Sequence, residues 1–144
     1  MNMDKKIIVS NSGLIELQSV KDGFDGVLSI AECGKHIPFD VKRIYHIYNL
    51  VNHEDVVRGK HAHKSLKQAI FCINGSFTLS LDDGKTKQEI IVDDPGVGVY
   101  LGPELWHTMT NFKNNCIMLV LASDWYDESD YMRDYDEFLK HIKK

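Results

Sequence analysis

The chain is poor in the residues that mark several specialised classes of protein. Its 144 residues include three cysteines, Cys33, Cys72 and Cys116, spaced too widely for a disulfide framework or a thiolate zinc site. Three prolines and ten glycines are too few for a collagen-like or low-complexity chain. No apolar run approaches the roughly 18–20 residues of a membrane-crossing helix. Positive charge is also short: 17 Lys+Arg against 21 Asp+Glu leave a net charge of -4 and a pI near 5.9. That balance argues against a nucleic-acid binder built on phosphate contacts, leaving room only for a local basic site facing one phosphorylated ligand. Residues 1–6 are polar and lack the apolar run of a secretory leader, so a cytoplasmic location is expected.

What is present is ordinary and globular, with 43% hydrophobic and 26% charged residues. The length suits one domain, expected to span residues 1–144. A chain of this size can bury about 70% of its unfolded surface, so it needs no staple to fold. Short β-rich runs fall at 14–17, 27–31, 42–50, 60–63, 68–73, 77–81, 89–92, 98–101, 107–112 and 117–123. Asn74-Gly75 lies between two of them and predicts a type I′ hairpin, whose central residues need positive φ. Asp83-Gly84 predicts a second turn, and Asp94-Pro95-Gly96 a third. So many short strands imply a sandwich or barrel. At the C-terminus, Tyr131, Tyr135, Phe138, Leu139 and Ile142 share one helical face, predicting a helix over about 128–143. Asp127 to Asp130 would cap its start, and Lys140, Lys143 and Lys144 would complement its end. This amphipathic helix is expected to pack on the outside of the β-structure.

The seven histidines carry most of the functional information. His36, His53 and His141 lie in polar or terminal surroundings and receive no role. His46 alternates away from Arg43 and Tyr45 and receives none either. In Arg58-Gly59-Lys60-His61-Ala62-His63-Lys64 the two histidines are two apart on a strand, so both imidazoles point to one face. Such a pair can chelate a metal or supply two proton-transfer groups to one ligand.

The context of that pair is informative. Gly59, His61, His63, Gln68 and Gly75, followed by Gly98, Pro103, His107 and Asn111, resemble the two motifs of the cupin superfamily in order. The resemblance implies an all-β, cupin-type antiparallel jelly-roll barrel over about 26–123, with its site inside. Gln68 stands where a metal-binding cupin places Glu, and Glu104-Leu105 departs from the usual spacing of the second motif. Both departures weaken the case for a bound metal.

At full length the chain resembles the sugar-nucleotide 3,4-ketoisomerases, metal-independent cupins acting on dTDP-4-keto-6-deoxyglucose. The matching segments begin with Ile37-Pro38-Phe39-Asp40-Val41-Lys42-Arg43-Ile44-Tyr45 and the His61/His63 segment. Asn74-Gly75-Ser76, Asp94 through Pro103, and Trp106-His107 follow, then Leu121-Ala122-Ser123 and Tyr126-Asp127-Glu128. The resemblance implies transfer of a ketone from C4 to C3 through an enediol, for dideoxy-amino-sugar biosynthesis of surface polysaccharide. Histidine suits such proton transfers at neutral pH. No cofactor is implied, and no dinucleotide-type glycine fingerprint is present.

By resemblance, His61 is the base for the carbon-bound proton and His63 a relay to the sugar oxygens; the reverse assignment stays open. Tyr45 joins them as the catalytic hydroxyl. Arg43, Arg58, Lys64, Gln68, Tyr100, Trp106 and His107 are the expected substrate contacts, with Trp106 either stacking on the base or filling core. The family carries a basic residue where this chain has Asp25, which leaves the galacto or gluco configuration at C4 of the product open. The implied partner is a dTDP-linked 4-keto-6-deoxy sugar, and the implied assembly a homodimer with a strand-swapped N-terminus. Three rival readings stay open: a metal-dependent cupin oxygenase on His61, His63 and His107, a non-catalytic sugar-nucleotide-binding protein, and a 3,5-epimerase.

Overall fold

Phe77, Leu79 and Leu81 alternate with Thr78 and Ser80, which makes one face of their strand apolar. Burying such a face requires a second sheet or a sheet curled on itself. The computed structural model describes residues 6–143, so residues 1–5 of the polar N-terminal stretch and Lys144 lie outside the described residues. Its strands are β1 (Ser12–Glu16), β2 (Gln18–Lys21), β3 (Val27–Ile30), β4 (Arg43–Ile47), β5 (Arg58–His63), β6 (Gln68–Asp82), β7 (Lys87–Val92), β8 (Val97–Leu101), β9 (Trp106–Ala122) and β10 (Tyr131–Met132). One helix, α1 (Tyr135–Ile142), closes the order.

Eight strands form one antiparallel sheet in the order β1-β8-β6-β9-β5-β10, with β4 added to β9 and β7 to β6. The curled sheet is the jelly-roll barrel expected from the sequence, with a helix on its outside. Inside it, Ile70, Cys72, Phe77, Leu79, Val99, Phe112, Met118 and Val120 form a dry core. On the opposite face, Ile15, Ala69, Phe71 and Leu121 are covered by Ile37 and Phe39 of the 31–42 segment. A third cluster, Ala62, Met132 and Phe138 with Trp106, lies under α1.

Four expectations need correction. Asn74-Gly75 makes no hairpin: β6 continues through it, paired to the long β9 with register shifts on both sides. Gly75 at φ 72, with Asn114 and Asn115 also left-handed, instead makes a bulged corner bending both strands. A Cβ on Gly75 would collide with the Lys113 carbonyl, so the corner also needs the missing side chain. The sheet begins at β1, paired to β8, rather than near residue 26, and β3 pairs only with β2 in a separate ribbon. The helix starts at Tyr135, because Asp134 accepts from Glu137 N and caps it there. Asp127 caps only a 3-10 turn, Glu128–Asp130, and Tyr131 is drawn into strand pairing opposite His63.

Candidate active site

A bulge in β5 brings the histidine pair inward. Arg58 faces Met109 and Gly59 faces Thr108, yet His61 faces His107, which leaves Lys60 as an extra residue. Gly59 takes φ 84 and Lys60 φ 57, and a Cβ on Gly59 would meet the His107 carbonyl at 2.8 Å. Met109 and His107 both point into the barrel, so the bulge lets Arg58 and His61 share that face although strict alternation would separate them. His63, two residues on, lies on the same side.

The three imidazoles cluster tightly. Ring centroids are 4.9 Å apart for His61 and His63, and 4.7 Å for His61 and His107. Tyr131 packs against both members of the pair, at 4.9 and 4.4 Å. Each Nδ1 is committed: His61 to the Gly59 carbonyl at 3.0 Å, His107 to the Leu105 carbonyl at 3.2 Å, and His63 to Asp130 Oδ2 at 3.1 Å. A carbonyl or carboxylate only accepts, so each Nδ1 carries the proton and each Nε2 keeps a lone pair. His63 Nε2 is buried without any partner.

Electrostatics keep the cluster neutral. Burial pushes the His61 imidazole down to about 4, and neighbouring His63 adds to that. Burial lowers His63 too, with Asp130 pulling in the opposite direction. His107 is held well below its ordinary value by burial, then by His61 and His63. At neutral pH all three are therefore unprotonated at one nitrogen, the state a proton acceptor needs.

The remaining lining comes from β4 and β6. Arg43 and Tyr45 alternate onto the inner face, opposite Ala122 and Val120. Gln68 Nε2 donates to Tyr45 Oη at 2.9 Å. Burial raises the Tyr45 hydroxyl above its usual range, keeping it a neutral hydrogen-bonding group. Arg43 lies over the rings of Tyr45 and Tyr126, and its Nε is buried without a partner. A cleft of about 490 Å³ opens here, lined by Arg43, Tyr45, Arg58, His61, Tyr131 and Arg133. A chamber of about 40 Å³ adjoins it, lined by Arg43, His63, Ser65, Asp130 and Tyr131. Among the described residues, no group of three or more His, Cys, Asp or Glu side chains is arranged to hold a metal ion.

Thus the structure brings together His61, His63, Tyr45, Arg43, Arg58, Gln68 and His107, and it separates three others. Tyr100 lies on the outer face of β8 beside Phe39, because its neighbours Val99 and Leu101 fill the inner face. Trp106 packs outside on Tyr135 and Phe138 beneath α1, opposite in direction to His107. Lys64 is exposed and donates to the Ser129 carbonyl at 3.0 Å, which ties down the 3-10 turn rather than lining the cleft. Sequence reasoning missed Asp130, Tyr131 and Arg133. They lie on β10 and its flanks, and the competing helical pattern hid them.

Residues 10–143 match the family model described as FdtA: WxcM-like, C-terminal. A TDP-4-oxo-6-deoxy-α-D-glucose-3,4-oxoisomerase of Aneurinibacillus thermoaerophilus is 47% identical over 131 residues, which are 91% of this chain and 92% of that protein. The 3,4-ketoisomerase QdtA of Thermoanaerobacterium thermosaccharolyticum is 39% identical with a TM-score of 0.88, covering 94% of this chain and 96% of its own. That crystal structure is of a histidine-to-asparagine variant in complex with TDP-4-keto-6-deoxyglucose. The WlaRB TDP-quinovose 3,4-ketoisomerase of Campylobacter jejuni is 39% identical with a TM-score of 0.85, covering 92% and 99% of the two chains.

Proposed function

This chain belongs to the FdtA family, WxcM-like, C-terminal, and on that premise we propose that it is a 3,4-ketoisomerase of a TDP-4-keto-6-deoxyhexose. One observation carries the reading: two neutral imidazoles with unengaged Nε2 atoms sit side by side at the end of a barrel cleft. His61 lines the open cleft and His63 the chamber behind it, which supports His61 as the carbon base. His61 Nε2 takes the C3 proton, and the electrons move into a C3–C4 double bond and onto O4. His63 passes the O3 proton to O4, and His61 returns its proton to C4. The ketone is then at C3 and every atom and charge is conserved. Tyr45 and Arg43 donate to the oxygens that carry charge in between. Arg58 suits the diphosphate, as a guanidinium fork does, whereas the Arg133 fork is engaged by Glu128 at 2.8 and 3.0 Å.

We also propose a cytoplasmic, single-domain protein that works as a homodimer. The β2–β3 ribbon bonds only to itself and exposes Val20, Phe24, Val27 and Leu28. Two strands alone are marginal in water, which supports exchange of this ribbon with a second copy. Ile44, 64% exposed, and Tyr48, 57% exposed, extend an apolar outer surface next to the covered layer. Light scattering that returns a monomer at micromolar concentration would remove this part of the reading.

The activity is tested by NMR in D2O with TDP-4-keto-6-deoxyglucose and chelator-treated protein. The expected result is a 3-keto product, with deuterium at C4 wherever His61 exchanges its proton with solvent before returning it. No product and no exchange at C3 overturns the assignment, and exchange at C5 would point to an epimerase.

A further inference from the structure

Resting on the ketoisomerase reading, we infer that Asp130 is the positioning residue of the proton relay, fixing the tautomer of His63 and raising its basicity, with Ser65 orienting Asp130 in turn. The arrangement follows from the pairing of β10 with β5. Tyr131 lies opposite His63, so the residue before it reaches the imidazole edge although 67 positions separate the two in sequence.

The carboxylate has four donors. Oδ1 accepts from Ser65 N at 2.8 Å and from Ser65 Oγ at 2.7 Å, while Oδ2 accepts from Leu66 N at 3.2 Å and His63 Nδ1 at 3.1 Å. Both oxygens are occupied, so the carboxylate has one orientation and the imidazole only one role toward it. Burial alone would push Asp130 up, but the donors from Ser65, Leu66 and His63 hold it below the ordinary carboxylate value. It is therefore a full negative charge beside a ring that is 3% exposed.

The other groups facing His63 act in the opposite sense or are neutral. His61 on the same strand and His107 on β9 disfavour added positive charge, as do Arg43 on β4 and Arg133 after β10, while Tyr131 offers an uncharged ring. Glu128 is committed to Arg133 and Tyr126. Among the described residues, Asp130 is the carboxylate that hydrogen-bonds a histidine of this cluster; His61 and His107 back onto neutral carbonyls. His63 is thus the imidazole equipped to take and release a proton without reorganising its surroundings.

A purely structural tie would need only a hydrogen-bonding group of the same shape, so Asp130→Asn separates the two roles. Its amide oxygen can still accept from Ser65, but the NH2 then faces both Leu66 N–H, whose bond is lost, and His63, where it forces Nδ1 to accept and moves the ring proton to Nε2. The expected result is a kcat lower by about 100-fold or more with KM within about 3-fold, and an acid limb of the kcat/KM profile at lower pH than in the wild type. Ring 15N shifts of His63 in the free protein are expected to report an Nδ1–H tautomer in the wild type and Nε2–H in Asp130→Asn. Ser65→Ala, which leaves the carboxylate and the Ser65 N–H in place, is expected to lower kcat by about 3- to 10-fold. Wild-type turnover together with an Asp130→Asn acid limb and kcat unchanged overturns the role of Asp130 alone. No wild-type turnover sinks the ketoisomerase reading and this role with it. Should Asp130→Asn fail to fold, an Nε2–H tautomer in the wild type, or a Ser65→Ala pH profile superimposable on the wild type at full kcat, overturns the inference.

Discussion

The two ends of the barrel are built from the same strands and do opposite things. Where β6 starts, Gln68 meets Tyr45, and β9 and β5 bring in His107, His61 and His63; buried polar groups are gathered there. At the bulged corner the inner positions of β6 and β9 are Cys72, Phe77, Phe112, Cys116 and Met118. The thiols of Cys72 and Cys116 approach to 3.8 Å, and burial pushes Cys72 up to about 12. Each end carries a bulge that interrupts the alternation of its strands, so secondary structure does not distinguish them. The difference lies in what each inward side chain leaves unsatisfied. Among the described residues no buried side-chain N or O at the dry end is left over, whereas at the site end His63 Nε2 and Arg43 Nε are buried without partners. Buried polar atoms left free cost stability, and the proposed reaction makes use of them.

That contrast can be broken one end at a time. The largest expected effect is His61→Asn, which should lower kcat by about 10³-fold or more while the thermal midpoint moves by only a few degrees. A comparable loss of stability would show that His61 belongs to the fold. At the other end, Phe77→Ala should cost about 3–5 kcal/mol in urea unfolding and leave kcat per folded molecule within about 2-fold. Acid should strain the site end next. The unfolded imidazoles titrate near 6.5, whereas the folded ones are held lower, His61 at about 4. Below pH 6.5 the unfolded chain binds more protons, so stability falls from pH 6.5 toward about 4. A decrease on the order of 2 kcal/mol is expected between pH 7.5 and pH 5 from His61 alone, with His63 and His107 acting in the same direction, and a flat profile would contradict a neutral cluster. Tyr45→Phe strands the Gln68 amide and should cost about 1 kcal/mol of stability, along with a decrease in kcat. Lys64→Ala should be smallest, within about 0.5 kcal/mol and with KM unchanged; a several-fold rise in KM would return Lys64 to the diphosphate.

The histidine pair was legible because its signal is local: two residues apart on a strand means one face, and the Gly59 bulge does not disturb that. Arg43 and Tyr45 were legible for the same reason. Tyr100 was not, because Val97 to Leu101 is apolar on both faces, and no alternation tells inside from outside. Trp106 and His107 are adjacent, so they must point apart, and only the packing of α1 over Trp106 decides which goes in. Asp130 was hidden more deeply. Its place in an acidic run preceding a helical pattern made capping the natural reading, and nothing in its own neighbourhood points to a histidine 67 positions away.

Asn74-Gly75 shows how the same local chemistry serves two structures. Gly75 takes the positive φ expected of it while Asn74 does not, and whether the chain reverses or merely bends depended on β9 being long enough to accompany it. By itself, the sequence determined the strand period and most of the turns, since these follow from backbone geometry and side-chain type over a few residues, while the class of chemistry followed from the resemblance of long segments to a known family. Tertiary structure decided the register, the faces of the wholly apolar strands and the carboxylate behind His63. Those depend on free energies shared between segments far apart in the chain, which no short stretch contains.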